Sequence, residues 1–207
     1  MKRNVGILIF DDAEVLDFAG PFEVFAVSSA LHDHSLFNTF LVSETGAPVK
    51  ALNGMHILPN CHFKNAPKID ILILPGGRGS RAVSKNDTYL NWVKDRYQHC
   101  EYLLSICSGV RIPASLGMLD GKAFCTHQEV YEEIIANVPS SIPQKEKRFT
   151  HFDNVFTSGG ISAGIDLSFE IVRIIYGDYV LNRTLEYMEY DGNRSWTGYF
   201  RTPASNY

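Results

Sequence analysis

Short apolar runs alternate along the chain with segments in which apolar residues recur at helical spacing. Residues 5–10, 37–42, 69–74 and 102–106 are mostly apolar, and a fifth run, 152–157, contains fewer apolar residues. Apolar runs of this length predict strands that are buried on both faces, which is the pattern of a parallel sheet.

Helical patterns fill the gaps between the predicted strands. Strands that alternate with helices predict an α/β fold, a single-domain three-layer sandwich whose mostly parallel sheet carries helices on both faces. Residues 44–62 predict a hairpin added to that sheet. The predicted helices cover 21–31 with Pro21 in the first turn, the segment after a cap at Asn86 or Asp87, 128–137, and 163–176 with Gly177 as its stop.

Composition and charge argue against nucleic acid and membranes as partners. The 207 residues are 45% hydrophobic, with 19 basic and 23 acidic residues in a mixed pattern. Because no basic stripe is present, we predict no nucleic-acid partner. The apolar run after Arg3 stops at Asp11, and no later run reaches the length of a membrane span. We therefore expect a soluble, cytoplasmic protein without a membrane partner.

The predicted domain covers residues 1–190, and residues 191–207 are expected to form a C-terminal arm packed on this domain or on a dimer partner. Four cysteines fall in no paired motif, so reduced thiols are favoured over disulfides. The spacing of cysteines and histidines does not match a structural zinc site, and we predict no metal.

Cys107 follows a predicted buried strand and is itself followed by small residues, in the sequence YLLSICSGV of residues 102–110. If a helix begins at Ser108 or Gly109, its free N–H groups and its dipole favour the thiolate of Cys107. Small residues also permit the sharp turn of a nucleophile elbow. The alternative is that Cys107 is a small buried apolar residue.

Two further loops follow predicted strands. In LPGG, residues 74–77, paired glycines allow a ligand to approach the backbone, and the N–H of Gly77 is a candidate oxyanion donor; the alternative is an ordinary glycine turn. In DFAGP, Asp17 lies just before a predicted helix, where it is either a functional carboxylate or a helix cap. Ligands of open parallel sheets bind at the carboxyl ends of the strands, so a small-molecule substrate is expected there.

Five motifs in order resemble the DJ-1/PfpI superfamily, whose fold is class I glutamine amidotransferase-like and flavodoxin-like. They are VGILIFDDAEVLDFAGPFEVF, ILILPGG, ICSG, LDGKAFCTH and TSGGISAGID. The resemblance extends from about Val5 to Tyr190 and is greatest to the isonitrile (isocyanide) hydratase branch. The ligand-binding halves of related transcription regulators are similar as well.

The resemblance implies a set of site residues. Cys107 becomes the elbow nucleophile, Asp17 its acidic partner, and Ser108 the hydroxyl residue after the nucleophile. Gly77 and Ser108 supply a pair of backbone N–H groups, and the pocket residues are His127, Gly76 and Ile161. PfpI-type proteases carry histidine at the position of Ser108, so proteolysis is disfavoured. Arg111 and Pro113 also depart from the small, apolar helix start of the relatives.

The implied activity is hydration of an isocyanide to an N-substituted formamide through a thioimidate on Cys107, with Asp17 moving protons. No cofactor is implied, and a homodimer is expected. One alternative is glyoxalase- or deglycase-like chemistry on 2-oxoaldehydes with the same cysteine, although such sites carry glutamate in place of Asp17. Another is a redox-sensing or ligand-binding protein in which Cys107 is oxidised rather than catalytic.

Overall fold

A seven-stranded, mostly parallel sheet organises the computed structural model, which describes residues 1–190. The strands are β1 (Arg3–Leu8), β2 (Phe37–Ser43), β3 (Val49–Lys50), β4 (His56–Ile57), β5 (Cys61–His62), β6 (Ile71–Leu74), β7 (Tyr102–Ile106), β8 (Ala123–Phe124), β9 (Ile142–Pro143), β10 (Phe149–Phe152) and β11 (Val155–Ser158). The helices are α1 (Val15–Ala30), α2 (Ser80–Val83), α3 (Asp87–Tyr97), α4 (Arg111–Ser115), α5 (Tyr131–Asn137) and α6 (Ser162–Tyr187).

The main sheet has the strand order β10-β11-β7-β6-β1-β2-β5. All neighbouring pairs are parallel except β10 and β11. Every residue of β6 is buried, as the continuous apolar run predicts for a strand covered on both faces. The predicted α/β fold with a mostly parallel sheet is confirmed.

Two predicted sheet elements are placed differently. The single strand expected over 152–157 is divided by a turn in which Asp153 adopts a left-handed φ of 48°, a conformation that aspartate tolerates. The halves belong to β10 and β11. The hairpin expected over 44–62 is formed by β3 and β4, but it is a separate two-stranded sheet and does not extend the main one. Only β5, at the end of this segment, joins the main sheet, where it pairs in parallel with β2.

Helix boundaries also differ from the expectation, and one difference moves a functional residue. α1 begins at Val15, so Asp17 lies in its first turn and Pro21 lies inside the helix. Pro21 has no N–H to donate to the carbonyl of Asp17, and the helix continues despite this missing bond. Gly177, the predicted stop of the last helix, interrupts the helical backbone with φ 81° and ψ 177°, a region open to glycine, and a second helical segment continues from this kink to Tyr187 within α6.

The other helices are close to the expected positions. α3 is capped by Asn86, whose Oδ1 accepts the backbone N–H of Thr88 at 2.9 Å, as the sequence predicted. α5 starts at Tyr131, three residues after the expected start at Gln128. Among residues 1–190, no helix is long and apolar enough to cross a membrane. The predicted arm, 191–207, lies outside the described residues.

α1 and α6 pack against one another, and a buried hydrogen bond of 3.1 Å joins the hydroxyls of Ser28 and Thr184 across this contact. Phe25 of α1 is fully buried, and its ring meets the edge of Phe37 with centroids 4.9 Å apart. α1 is therefore anchored by apolar packing, which fixes the turn that carries Asp17.

Phe25→Ala should lower the free energy of unfolding by about 3–5 kcal/mol, because it removes buried apolar surface and leaves a cavity. Glu23→Ala on the exposed side of the same helix is the control and should change it by less than about 0.5 kcal/mol. Urea unfolding of the three proteins measures both values, and equal stability of the two variants would contradict the packing of α1.

Candidate active site

Cys107 is the corner between β7 and a short helical segment. Its φ is 56°, a left-handed value that is rare for a residue with a side chain. A four-residue 3-10 turn over 107–110 follows and leads into α4. The corner is held because the N–H of Cys107 donates to the carbonyl of Gly159 at 3.1 Å and Oγ1 of Thr126 donates to the carbonyl of Cys107 at 2.8 Å. The predicted nucleophile elbow is present as backbone geometry.

Two backbone N–H groups face the sulfur of Cys107, those of Ser108 and Ile161. Ser108 was expected in this role, whereas Ile161 was expected only as a pocket wall. Ile161 precedes α6 with φ 45° and ψ −89°, an unusual conformation for a β-branched residue. The N–H of Ile161 also faces the carboxyl of Asp17. One donor thus serves both members of the candidate catalytic pair.

Asp17 is a fully buried carboxyl beside the sulfur. Its Oδ2 accepts the backbone N–H of Gly76 at 2.9 Å. Its Oδ1 is buried without a hydrogen bond of ordinary geometry, so this oxygen is available to the thiol of Cys107, which interacts with the carboxyl. Burial raises the pKa of Asp17 to about 7, even though the N–H of Gly76 opposes the shift. Asp17 is therefore not a helix cap at the surface.

The thiol of Cys107 is not acidified in the free protein. Burial and the negative charge of Asp17 raise its pKa to about 12, although the N–H groups of Ile161 and Ser108 lower it. The backbone donors favour the thiolate as expected, but burial and the carboxylate beside the sulfur outweigh them, so the thiol is favoured overall. The protonation of the two groups is coupled, because the carboxylate raises the pKa of the thiol while the hydrogen bond from the thiol lowers the pKa of the carboxyl.

The Gly76–Gly77 turn packs directly on the pair. A Cβ added at Gly76 would lie 2.6 Å from the nitrogen of Ser108 and 2.8 Å from Oδ2 of Asp17, so only glycine fits. The N–H of Gly77 donates to Oγ of Ser108 at 2.9 Å. This donor is engaged by Ser108 in the free chain, and the oxyanion role of Gly77 stays a prediction; the turn supports Asp17 and Ser108.

A cavity of about 280 Å³ opens beside the sulfur. Of the predicted residues, Cys107, Ser108, Gly77, His127 and Ile161 line it, whereas Asp17 and Gly76 lie behind the sulfur and do not. The Cys107–Asp17 pair is therefore open to water on the side of the sulfur and closed to water on the side of the carboxyl. The sulfur is reached from the cavity, and the carboxyl stays shielded from bulk water.

This architecture agrees with a match of residues 3–174 to the sequence profile of the DJ-1/PfpI family. The chain belongs to the DJ-1/PfpI family. Isonitrile hydratase of Pseudomonas putida is 29% identical over 177 residues, covering 86% of this chain and 74% of that protein. The HTH-type transcriptional regulator GbdR of Pseudomonas aeruginosa is 24% identical over 205 residues, covering 99% of this chain and 55% of the regulator.

Solved structures of DJ-1/PfpI proteins share the fold. A ThiJ/PfpI family protein from Pseudomonas syringae superposes with a TM-score of 0.82 at 24% identity, covering 93% of this chain and 77% of that one. DJ-1beta of Drosophila melanogaster superposes with a TM-score of 0.78 at 17% identity, covering 91% and 98%. The predicted family and fold are confirmed. At these sequence identities, the similarity to solved structures shows the fold alone.

Several cavity residues of this DJ-1/PfpI chain were not predicted as site residues. Three arginines and two glutamates contribute charge to the wall, namely Arg78, Arg81, Arg111, Glu14 and Glu129. Arg111 is the most buried of the arginines, at 5% exposure. The sequence did mark Arg111 as unusual, because a charged residue there interrupts an apolar helix start. It did not reveal the partner of Arg111, since Glu133 is 22 residues away and on another helix.

The cysteines and histidines considered for zinc do not form a cluster. Sγ of Cys125 lies 3.4 Å from the carbonyl oxygen of Gln144, and Nδ1 of His32 lies 2.9 Å from the carbonyl oxygen of Ser28. Within residues 1–190, no three His, Cys, Asp or Glu side chains are grouped closely enough to hold a metal ion.

Asp17→Asn should stabilise the fold progressively as the pH rises from about 4 to about 7. The pKa of Asp17 is raised from 3.8 to about 7 by folding, so the folded chain binds the extra proton in this window. Its contribution to stability is complete below the unfolded pKa and is lost as the pH rises through the folded pKa.

The measurement is the free energy of unfolding of both proteins at several pH values. The gain of Asp17→Asn over wild type should grow by up to about 1.4 kcal/mol per pH unit and level off above pH 7. Asp95→Asn, on the exposed surface of α3, makes the same chemical change outside the site and serves as the control. A gain that does not vary with pH would refute the raised pKa of Asp17.

Proposed function

We propose that the chain hydrates an isocyanide to an N-substituted formamide, with Cys107 as nucleophile and Asp17 as proton carrier. The observation that carries the proposal is the buried carboxyl–thiol pair at the inner end of an open cavity. The 29% identity to an isonitrile hydratase supports the choice of substrate class. Ser108 in place of the proteases' histidine speaks against proteolysis.

The first half of the proposed reaction adds the thiol across the terminal carbon of the isocyanide. Asp17 as carboxylate takes the proton of Cys107 while sulfur bonds to the carbon, and it then delivers this proton to the same carbon. The product is a thioimidate, R–N=CH–S–Cys107. A thiol of raised pKa requires such an adjacent base, and Asp17 is in contact with it.

The second half adds water to the thioimidate carbon. Asp17 accepts a proton from the incoming water and passes it to the nitrogen, which leaves a hydroxyl and the sulfur on the same carbon. The hydroxyl then gives up its proton as the carbonyl forms, and the carbon–sulfur bond breaks while Asp17 returns that proton to the thiol. The sum is one isocyanide and one water giving one formamide, with the enzyme unchanged. Water reaches the carbon from the cavity, since the carboxyl itself has no exposed surface.

Isocyanide turnover should depend strongly on both members of the pair. Cys107→Ala should abolish it because no thioimidate forms, and Asp17→Asn should lower it at least about a hundredfold because an amide cannot carry the proton. Ser108→Ala should be milder, since its backbone N–H remains. Cys100→Ala, at a buried cysteine outside the cavity, is the matched control and should keep the wild-type rate.

A panel of isocyanides, assayed by formamide production with the reduced protein, measures these rates. Full activity of Asp17→Asn would show that the proton comes from another group, and His127 on the cavity wall would be the next residue to substitute. Failure of the reduced wild type to turn over any isocyanide would defeat the proposal. A parallel panel of 2-oxoaldehydes tests the glyoxalase- or deglycase-like alternative with the same variants.

A second candidate function is ligand binding without turnover. The match to GbdR supports it, because that match extends over 99% of this chain. In this case the cavity binds a small molecule and Cys107 serves as part of the binding or redox-sensing surface. Calorimetric binding of a panel compound, unchanged by Cys107→Ala and accompanied by no product, would favour this function over hydration.

We also propose that the chain forms a homodimer. Phe18 and Phe25 of α1 are buried in the core, and Phe22 is half-buried. Large apolar side chains remain exposed on the two long helices, with Leu16 on α1 and Tyr187 on α6 among them. Light scattering on a sizing column should return twice the 23.2 kDa of the chain. A single-chain mass at all concentrations would contradict the dimer.

A further inference from the structure

Arg111 is a buried arginine that donates hydrogen bonds in two directions, to Glu133 and to Ser80. On one side its Nε and Nη2 donate to the two carboxyl oxygens of Glu133 at 2.7 and 2.6 Å. This bidentate pairing joins α4 to α5 and holds the guanidinium in one plane. Arg81 lies 3.6 Å from the same carboxylate but makes a single, exposed contact. Arg111 is therefore fixed in orientation rather than free to swing into the cavity.

On the other side, Nη1 of Arg111 donates to Oγ of Ser80 at 2.9 Å. A guanidinium is a donor only, so the Ser80 oxygen must act as acceptor toward it, and the hydroxyl proton must point elsewhere. The carbonyl of Gly77 accepts it at 2.7 Å, and Oγ of Ser108 lies 3.2 Å away. Arg111 thus determines the direction in which a hydroxyl beside the active site donates.

The same contacts continue to Asp17. Oγ of Ser108 accepts the N–H of Gly77 at 2.9 Å. The carbonyl of Gly77 is held by the hydroxyl of Ser80 at 2.7 Å and more loosely by the N–H of Ser80 and Oγ of Ser108, each at 3.2 Å. The adjoining Gly76 donates its N–H to Oδ2 of Asp17 at 2.9 Å. An unbroken series of hydrogen bonds and one shared turn therefore connects Glu133 on α5 with the proton carrier on α1.

We propose that Arg111 is a positioning residue that acts through Ser80 to hold Ser108 and the Gly76–Gly77 turn in the geometry that Asp17 requires. The proposal rests on the proposed function for its catalytic readout, but not for its effect on the reactivity of Cys107. The charged groups that face the network are Glu133 and Arg81 beside Arg111, and Glu14 beside Asp17.

The test compares Arg111→Met, Ser80→Ala and the double variant. Ser80→Ala is decisive because it removes the connecting hydroxyl and leaves the pairing of Arg111 with Glu133 intact. Each single variant should lower kcat for an isocyanide about 10- to 100-fold with KM changed less than about threefold, as expected for misplaced catalytic groups. The double variant should be no slower than the slower single variant, because both changes break one series of contacts.

The pH profile of kcat/KM supplies a second readout. The Gly76 N–H lowers the pKa of Asp17, so loosening the turn should move the midpoint near pH 7 to higher pH in both single variants. Arg173→Met is the matched control: Arg173 pairs with Glu170 through two bonds of 2.8 and 2.6 Å on α6, outside the cavity. It should keep the wild-type kcat and midpoint.

The rate of Cys107 alkylation by iodoacetamide, followed by peptide mapping, keeps the test independent of the substrate. Arg111→Met and Ser80→Ala should slow it about equally at pH 7, whether or not isocyanides are turned over. If folded Ser80→Ala is alkylated at the wild-type rate and keeps the wild-type pH midpoint, the proposal is overturned. Arg111 would then serve only to join α4 to α5. An equal loss in Arg173→Met would overturn it as well.

Discussion

The contact between a buried carboxyl and a buried thiol is the interaction on which the rest of this site depends. Burial raises the pKa of both groups, Asp17 to about 7 and Cys107 to about 12. Because each group lies beside the other, the charge of one changes the pKa of the other, and the two protonation states are coupled. The structure holds this unfavourable pair with backbone groups: the strained corner at Cys107, the N–H of Gly76, and the N–H of Ile161, which faces both side chains.

The surrounding fold can be understood as the support for that contact. The parallel sheet delivers Cys107 at the carboxyl end of β7, while apolar packing of α1 on the core fixes the helical turn that carries Asp17. Glycines at 76 and 109 let the β6 and β7 corners approach one another, since a Cβ at Gly109 would lie 2.3 Å from the carbonyl oxygen of Leu74. A pair of raised pKa values favours proton transfer between neighbours over a free thiolate, which suits the proposed addition and later release of the thiol.

The sequence was sufficient for the central strands and for the corner, and insufficient for features that depend on distant partners. Continuous apolar runs identified the central strands, and small residues after Cys107 indicated the elbow. The start of α1 was misplaced because Pro21 normally marks a first turn, and tertiary packing carries the helix through it. Gly77 was assigned a free N–H because nothing local reveals that Ser108 accepts it. Arg111 was recognised as unusual, but its partners Glu133 and Ser80 become neighbours only in the folded chain.

The most direct test of the coupled pair is the rate of Cys107 alkylation as a function of pH in wild type and in Asp17→Asn, with the reduced protein and peptide mapping. If one proton is shared, the wild-type rate should rise with pH and level off around pH 7, where Asp17 becomes able to accept the proton of the thiol. In Asp17→Asn this step should vanish, leaving a rate that increases only toward the alkaline range in which an isolated buried thiol ionises. Identical profiles for the two proteins would contradict the account, because Cys107 would then ionise without reference to Asp17.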